Sequence, residues 1–317
     1  MGEALVDLLP VDDGLLRPVP GGSCYNVALA LARFEAPVAF VGRLSNDEPG
    51  QLMFDALARL GVDVALVGRD PRPSPLSFIE RGTAGGQARY NIYLAETAHA
   101  PPDLAGDWLA KAGHLHVSSF SAICGVWGEA VAAALREAEG RISCSFDINI
   151  RARLLPPRAK AAALVEERVA LVSVVKASEE DLAWLYPGQT PEAVGLRWAQ
   201  DGRIVLLTRG AAGAAAFHNG ALVACPAPKI DVVDTIGAGD AFLAAFLAQM
   251  HSEGVLDRGA IATLDRERLH AALRFATIAG ALTCTRAGAM APTPDQIRAL
   301  DGVTGSFVQS SVVRSSH

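Results

Sequence analysis

The chemistry in this sequence is concentrated in Asp231-Val-Val-Asp-Thr-Ile-Gly-Ala-Gly-Asp-Ala-Phe-Leu-Ala-Ala-Phe-Leu247. Gly237, Ala238 and Gly239 are small and permit tight backbone turning. Apolar residues at helical spacing begin directly after them. The free N–H groups of a helix start, at the positive end of the helix dipole, make an anion site, and small side chains let a phosphate come close to that backbone. Asp240 falls in the first turn of this helix. Taken alone, it reads as an ordinary N-cap or first-turn carboxylate. Beside a phosphate site it can accept the proton of a hydroxyl attacking a γ-phosphate, while neighbouring amides stabilise the developing charge. The Walker pattern with its lysine is absent, and Phe242 stands where a dinucleotide fingerprint needs its third glycine. A second polar pair, His114-x-His116, lies on one face of a predicted strand. No third ligand accompanies it, so satisfied strand histidines are expected rather than a metal site.

The elements that must hold this segment alternate in type. Val38–Gly42, His114–Ser118, Ile142–Ile148, Leu171–Val175 and Ile204–Thr208 are short, continuously apolar and rich in Val and Ile, which predicts buried strands. Val27–Phe34, Gly50–Leu60, Glu129–Glu137, Pro191–Ala199, Ala241–Met250 and Arg268–Thr283 carry helical periodicity. Such alternation predicts a doubly wound α/β fold, with a mostly parallel sheet flanked by helices. Leu76–Arg81 and Ala88–Leu94 break the pattern as two strands joined through Thr83-Ala-Gly-Gly86, a hairpin projecting from the main sheet. It is either a lid over a pocket or a surface hairpin without a role. One domain over residues 1–302 is expected, with the lid drawn from about 8–20 and 72–98. Residues 303–317, Ser-rich and aperiodic, read as a flexible tail.

Composition narrows the class. Hydrophobic residues make up 50% and charged residues 20% of the chain, the balance of a globular protein with a substantial core. Acidic residues exceed basic ones, 34 to 28, and no basic stripe offers itself to nucleic acid. Cys24, Cys124, Cys144, Cys225 and Cys284 form no CxxC pair, which argues against a zinc site or disulfide framework and for a reducing, cytoplasmic setting. No apolar run is long enough to span a membrane, and Met1-Gly-Glu-Ala-Leu5 lacks the pattern of a secretory signal.

Asp234-Thr-Ile-Gly-Ala-Gly-Asp240 resembles the D-T-x-G-A-G-D signature of the PfkB/ribokinase carbohydrate kinase family. Other segments agree with that family in order and spacing. They are Gly21-Gly22-Ser-Cys-Tyr-Asn26, Val41-Gly42-Arg-Leu-Ser-Asn-Asp47-Glu-Pro-Gly50, Asp147-Ile-Asn149-Ile-Arg151, Thr208-Arg-Gly210-Ala-Ala-Gly213 and Thr285-Arg-Ala-Gly288-Ala289. Together they cover nearly the whole chain. The resemblance implies a ribokinase-like fold with a small β-sheet lid, and sugar bound between lid and sheet. It further implies ATP along the carboxyl edge of the sheet.

It also implies roles. Asp240 is the base, and Gly237, Ala238 and Gly239 form the anion loop. Asp7, Gly22, Asn26, Tyr90 and Arg151 take the sugar; a carboxylate and an amide suit a polyol because they supply acceptors and a donor pair. In isolation Asp7 would read as a strand-end charge and Asn26 as a helix cap. Phe78 and Tyr93 join Tyr90 as lid aromatics able to cover a sugar ring or to pack across the hairpin. Thr208, Gly210, Gly213, Thr235 and Thr277 fall on the nucleotide side, with Thr277 where many members have Asn. Glu179 is expected to organise Mg²⁺ through water, with Lys176 in place of the family's Asn three residues earlier. Asp234, Ile236 and the Thr285–Gly288 backbone are placed for a monovalent cation such as K⁺. Family members carry several apolar residues before the Gly-Glu pair, completing a central first strand. Here Met1 precedes Gly2 directly, so a late start or a short strand is expected, with lost pairing that disturbs Asp7.

The implied activity is ATP-dependent phosphorylation of a primary hydroxyl on a small sugar. The Gly-Arg-Leu-Ser segment, Tyr90 to Ala98 and the Lys-x-Ser-Glu variant resemble bacterial fructokinases, so D-fructose is the first acceptor expected. Alternatives are 2-keto-3-deoxygluconate, ribose and nucleosides. A non-catalytic sugar sensor on the same fold has no need of Asp240 and its anion loop, and a hydrolase would lack a nucleophile such as Gly-x-Ser-x-Gly. A homodimer through the lid is the only protein partner expected.

Overall fold

The computed structural model describes residues 1–11, 14–80 and 89–302. The chain opens with β1 (Leu5–Pro10), β2 (Leu16–Gly21), α1 (Ser23–Arg33), β3 (Gly42–Ser45), α2 (Glu48–Arg59), β4 (Val67–Asp70), β5 (Leu76–Glu80) and β6 (Arg89–Tyr93). It continues through β7 (His114–Ser118), α3 (Ser119–Ile123), α4 (Gly125–Ala138), β8 (Ser143–Asp147), α5 (Arg158–Leu171), β9 (Val174–Ser178), α6 (Glu179–Leu185) and α7 (Pro191–Trp198). It closes with β10 (Ile204–Thr208), β11 (Ala214–His218), β12 (Ala221–Cys225), α8 (Ala238–Ser252), α9 (Arg258–Ala262) and α10 (Arg266–Thr283).

Six strands form the main sheet in the order β12-β11-β10-β9-β8-β7. β7 to β10 run parallel, and β11 and β12 are antiparallel additions at one edge. Successive side chains of a strand point to opposite faces, and here each face has its own core. Val174, Ile204, Leu206, Ala214 and Ala216 pack with α1, α8 and α10. Val175, Val205, Leu207, Ala215 and Phe217 pack with α4, α5, α6 and α7. Burial on both faces is why these strands read as unbroken apolar runs, and each fully buried Leu or Ile contributes about 1.5–3 kcal/mol. α8 is buried from Asp240 to Ala248 because it lies between α1 and α10.

The lid is a separate four-stranded sheet, β2-β1-β5-β6. Its two faces differ. Asp7, Ser77, Tyr90 and Ile92 share the inner face, while Phe78 and Tyr93 pair edge to face at 5.6 Å on the outer one. Of the three lid aromatics, only Tyr90 is on the inner face. The predicted turn Thr83-Ala-Gly-Gly86 and the tail 303–317 lie outside the described residues, as do residues 12 and 13 of the lid.

Three expectations are corrected. Val38–Gly42 is not a strand; Ala39 makes one isolated bridge to Asp63, and the strand proper starts at Gly42. The predicted strand Leu171–Val175 is displaced to Val174–Ser178, because Leu171 ends α5 and continuous apolarity cannot mark where a buried helix stops. Asp7 does not depend on a central first strand. β1 pairs within the lid, antiparallel to β2 and parallel to β5, with Asp7 opposite Val19 and Ser77. Met1 itself is buried, its ammonium donating to the His116 carbonyl at 2.7 Å.

Candidate active site

The loop before α8 is clamped from two sides. Both Asp234 carboxylate oxygens accept backbone N–H groups, Oδ1 from Ile236 at 3.1 Å and Oδ2 from Gly288 at 2.8 Å. The Val233 N–H donates to the Cys284 carbonyl at 2.8 Å. The two segments expected to hold a monovalent cation are thus stitched together. Gly237 then caps α8 in the left-handed region, φ 74°, and a Cβ there would lie 2.3 Å from the Ala289 Cβ. Only glycine meets both demands. The amides of Gly239 and Asp240 find no acceptor among the described residues, and they open a fifteen-residue helix. That is an anion-binding arrangement.

Asp240 is 7% exposed, and both of its oxygens are engaged by α1. Ser23 Oγ donates to Oδ1 at 2.7 Å and Asn26 Nδ2 to Oδ2 at 2.9 Å. Ser23 Oγ also lies 2.5 Å from Ser118 Oγ at the end of β7. α1 has no side-chain cap of its own, since Gly22 is its N-cap at φ 104°. A Cβ on Gly22 would sit 2.7 Å from the Glu3 carbonyl oxygen. Glu3 caps the helix from a distance: its Oε1 accepts the Ser23 N–H at 3.1 Å and its Oε2 accepts the Ser121 hydroxyl. Burial raises the Glu3 pKa to about 7, against the pull of those hydrogen bonds. Glu3 and Ser23 are site residues that sequence reasoning missed. The only signal was a carboxylate in an otherwise buried apolar start.

Two cavities adjoin, sharing Tyr90, Ile92, Asn149 and Arg151 in their walls, and Asp240 borders the smaller. The smaller is polar and is bordered by Asp7, Gly22, Asn26, Tyr90, Asn149, Arg151, Ile236, Gly237 and Asp240. All five residues expected to hold sugar are therefore together. Burial pushes the Asp7 carboxyl up to about 6, with the positive charge of Arg151 opposing. Arg151 ties the lid to the sheet edge: it donates to Asn149 Oδ1 at 2.7 Å and stacks 4.4 Å over the Tyr90 ring.

The larger cavity, about 1080 Å³, runs along the carboxyl ends of β8, β9 and β10. Thr208, Gly210, Gly213, Thr235 and Thr277 all border it, as do Ala238 and Gly239. The Thr277 hydroxyl donates back to the Leu273 carbonyl at 2.8 Å, so the helix itself occupies its proton. Glu179 is not in this wall. Its carboxylate lies 3.7 Å from Arg209, and Glu180 borders the cavity instead. Lys176 also lines it, bonded to Asp147 Oδ2 at 3.0 Å. Burial acts to lower the Lys176 pKa, but the carboxylates of Asp147 and Asp181 outweigh it, so the net shift is upward and the ammonium keeps its charge.

Of the two histidines of β7, His114 is satisfied at both ring nitrogens, whereas His116 is bonded only through Nδ1 and its buried Nε2 has no partner among the described residues. His114 bonds Ser143 and Ser145 at 2.7 and 2.8 Å, and His116 bonds Ser145 at 3.0 Å. Among the described residues no three His, Cys, Asp or Glu side chains converge on a metal position. No described helix is long and apolar enough to cross a membrane.

A fructokinase of Rhizobium leguminosarum bv. trifolii is 34% identical over 280 residues, covering 84% of each chain. The crystal structure of a fructokinase with bound ATP from Xylella fastidiosa superposes with a TM-score of 0.85 at 28% identity, covering 96% of this chain and 97% of that one. A Vibrio cholerae O395 fructokinase, in a fructose, ADP and calcium ion bound form, gives a TM-score of 0.77 at 28% identity over 94% and 96% of the two chains. The description of the pfkB family carbohydrate kinases matches residues 10–296. With that match across most of its length, this chain belongs to the pfkB family of carbohydrate kinases.

Proposed function

We propose that this chain transfers the γ-phosphoryl group of ATP to a primary hydroxyl of D-fructose, giving fructose 6-phosphate and ADP. The observation that carries the reading is the position of Asp240. Its carboxylate borders the small polar cavity, while Ala238 and Gly239 of the same helical turn border the large one. A hydroxyl in the first and a phosphate in the second would meet beside a single carboxylate.

Asp7 and Asn26 hold the sugar hydroxyls, Gly22 brings backbone close to the ring, and Tyr90 with Arg151 closes the lid side. Asp240 takes the proton of the attacking hydroxyl. The new O–P bond forms as the bond to the β,γ-bridging oxygen breaks, and the amides of Gly239 and Asp240 stabilise the charge on the phosphoryl oxygens. With both its oxygens engaged by Ser23 and Asn26, Asp240 is held in one orientation before substrate arrives. Thr208, Gly210, Gly213, Thr235 and Thr277 form the nucleotide wall.

An ion carried by the nucleotide would be met by the first turn of α6, where Glu180 borders the cavity and Glu179, paired with Arg209, stands behind it. Mg²⁺ there would neutralise phosphate charge. Asp234, Ile236 and the Thr285–Gly288 backbone remain our candidates for K⁺, which would steady the anion loop. The exposed Phe78–Tyr93 pair on the outer lid face is our candidate for pairing with a second copy. All five cysteines are free thiols, which fits a cytoplasmic setting.

ADP release measured with Mg²⁺-ATP and K⁺ across D-fructose, 2-keto-3-deoxygluconate, D-ribose and adenosine tests the assignment. Highest kcat/KM on fructose supports it. Preference for another acceptor replaces the substrate and keeps the mechanism. Binding of fructose without turnover by folded protein would support a sensor instead.

A further inference from the structure

We infer that Lys176 is a further catalytic residue, whose ammonium donates to the phosphoryl group in transit. The inference rests on the kinase reading above and adds a contact to it. Lys176 is 5% exposed in the middle of β9, and its Nζ reaches Asp147, its register partner at the carboxyl end of the neighbouring strand β8. The same Nζ lies against the anion loop. A Cβ added to Gly239 would sit 2.8 Å from Nζ and 3.7 Å from Cε. The missing side chain at Gly239 therefore leaves room for the ammonium beside the amides that open α8. Lys176, Ala238 and Gly239 share one wall of the nucleotide cavity.

The pair has unused bonding capacity. An ammonium carries three donors, and Asp147 takes one; no other acceptor contacts Nζ among the described residues. Asp147 Oδ1 is buried and also has no partner. A buried ion pair that served only the fold would lose by this, because desolvating two charges is offset only when their remaining hydrogen bonds are made. An anion arriving at the first turn of α8 would supply acceptors for the two Nζ–H groups that Asp147 leaves unused. In phosphoryl transfer, charge spreads over three equatorial oxygens and catalysis is mostly positioning and electrostatics. Backbone amides from α8 and a cation from β9 would flank the same group. The step is otherwise unchanged: the sugar oxygen bonds to phosphorus, the bridging oxygen leaves with ADP, and the proton goes to Asp240. Lys176 donates hydrogen bonds throughout and transfers no proton.

The test uses Lys176→Met, which keeps the aliphatic stem and removes the charge, and Gly239→Ala, which keeps the lysine and displaces its ammonium. For each, kcat, both KM values and the separate affinities for ATP and ADP are measured, with thermal melting as a check on folding. Removing a preorganised donor of this kind lowers kcat by about 10²–10³-fold. Both variants should show that loss with KM for the sugar within about twofold, and the uncharged variant should weaken ATP about tenfold more than ADP, since the contact is to the transferred group. Near wild-type kcat in folded Lys176→Met overturns the inference, as does an equal weakening of ATP and ADP, the mark of a purely structural pair. If Lys176→Met does not fold, Gly239→Ala with wild-type kcat overturns it. Wild-type protein that turns over no sugar would remove the kinase reading first, and this inference with it.

Discussion

Gly237→Ala places two demands of the anion loop in conflict at once. An alanine held at φ 74° costs about 1–2 kcal/mol relative to glycine. Its Cβ would also lie 2.3 Å from the Ala289 Cβ and 2.6 Å from the Ala289 Cα. The second contact is to main chain, so relief needs movement of the 285–289 segment, and such overpacking costs about 1–3 kcal/mol. The sum is about 2–5 kcal/mol, and at roughly 2–4 °C per kcal/mol Tm should fall by roughly 4–20 °C. Asp240 is three residues along the same turn, and misplacing a reacting group by about 1 Å can cost about 100-fold in rate. Thermal unfolding and steady-state ADP release on the same preparation read both effects. Adding Ala289→Gly removes the Cβ partner and should recover about 1 kcal/mol, leaving the backbone term in place. A Gly237→Ala protein with Tm within 2 °C of the parent, as ~0.5 kcal/mol would give, and unchanged kcat would refute the account of the loop.

Two other perturbations bear on the sugar side. Ser23→Ala removes the hydroxyl that fixes Asp240 Oδ1. It should lower kcat by about tenfold, the worth of one charge-assisted hydrogen bond, with little change in KM for ATP. Asp7 gives a pH dependence with a definite sign. Its folded-state pKa stands near 6, above the ordinary aspartate value of 3.8. Below pH 6 the carboxyl takes a proton and loses acceptor capacity, so KM for the sugar should rise about tenfold between pH 8 and pH 5. The same shift makes the folded state hold the proton between about pH 4 and 6. The stability from this group is therefore fully present below 3.8 and is lost as pH rises through 6. Asp7→Asn should flatten both profiles, measured by initial rates and by urea unfolding across that range.

What the sequence disclosed and what it hid divide along physical lines. The strands His114–Ser118 and Ile204–Thr208 were legible to the residue because both faces are buried and the runs are unbroken. The anion loop and Asp240 were legible because small residues, a carboxylate and a helix start follow one another in the chain. α1 was read to begin at Val27, yet it begins at Ser23. No local cap marked its start, because the cap comes from Glu3, twenty residues earlier. The hydrogen bonds that orient Asp240 join residues 217 and 214 positions apart, which periodicity cannot see. The lid was expected to begin near residue 8 and Asp7 to follow a central strand, whereas Asp7 lies within β1, whose partners are in the lid. The choice between Glu179 and Glu180 at the cavity turns on helix phase at the first turn of α6, where the capping box of Ser178 and Asp181 sets the rotation. A single sequence cannot supply that angle.

Asp240→Asn tests the central claim most directly, because it keeps the shape of the side chain and removes its ability to take a proton. ADP release should be measured with saturating Mg²⁺-ATP and fructose, alongside ATP binding and thermal melting. The account predicts a folded protein that binds ATP with unchanged affinity and has lost about 10²–10⁴-fold in kcat. A folded variant within tenfold of the parent kcat would contradict it and require another base.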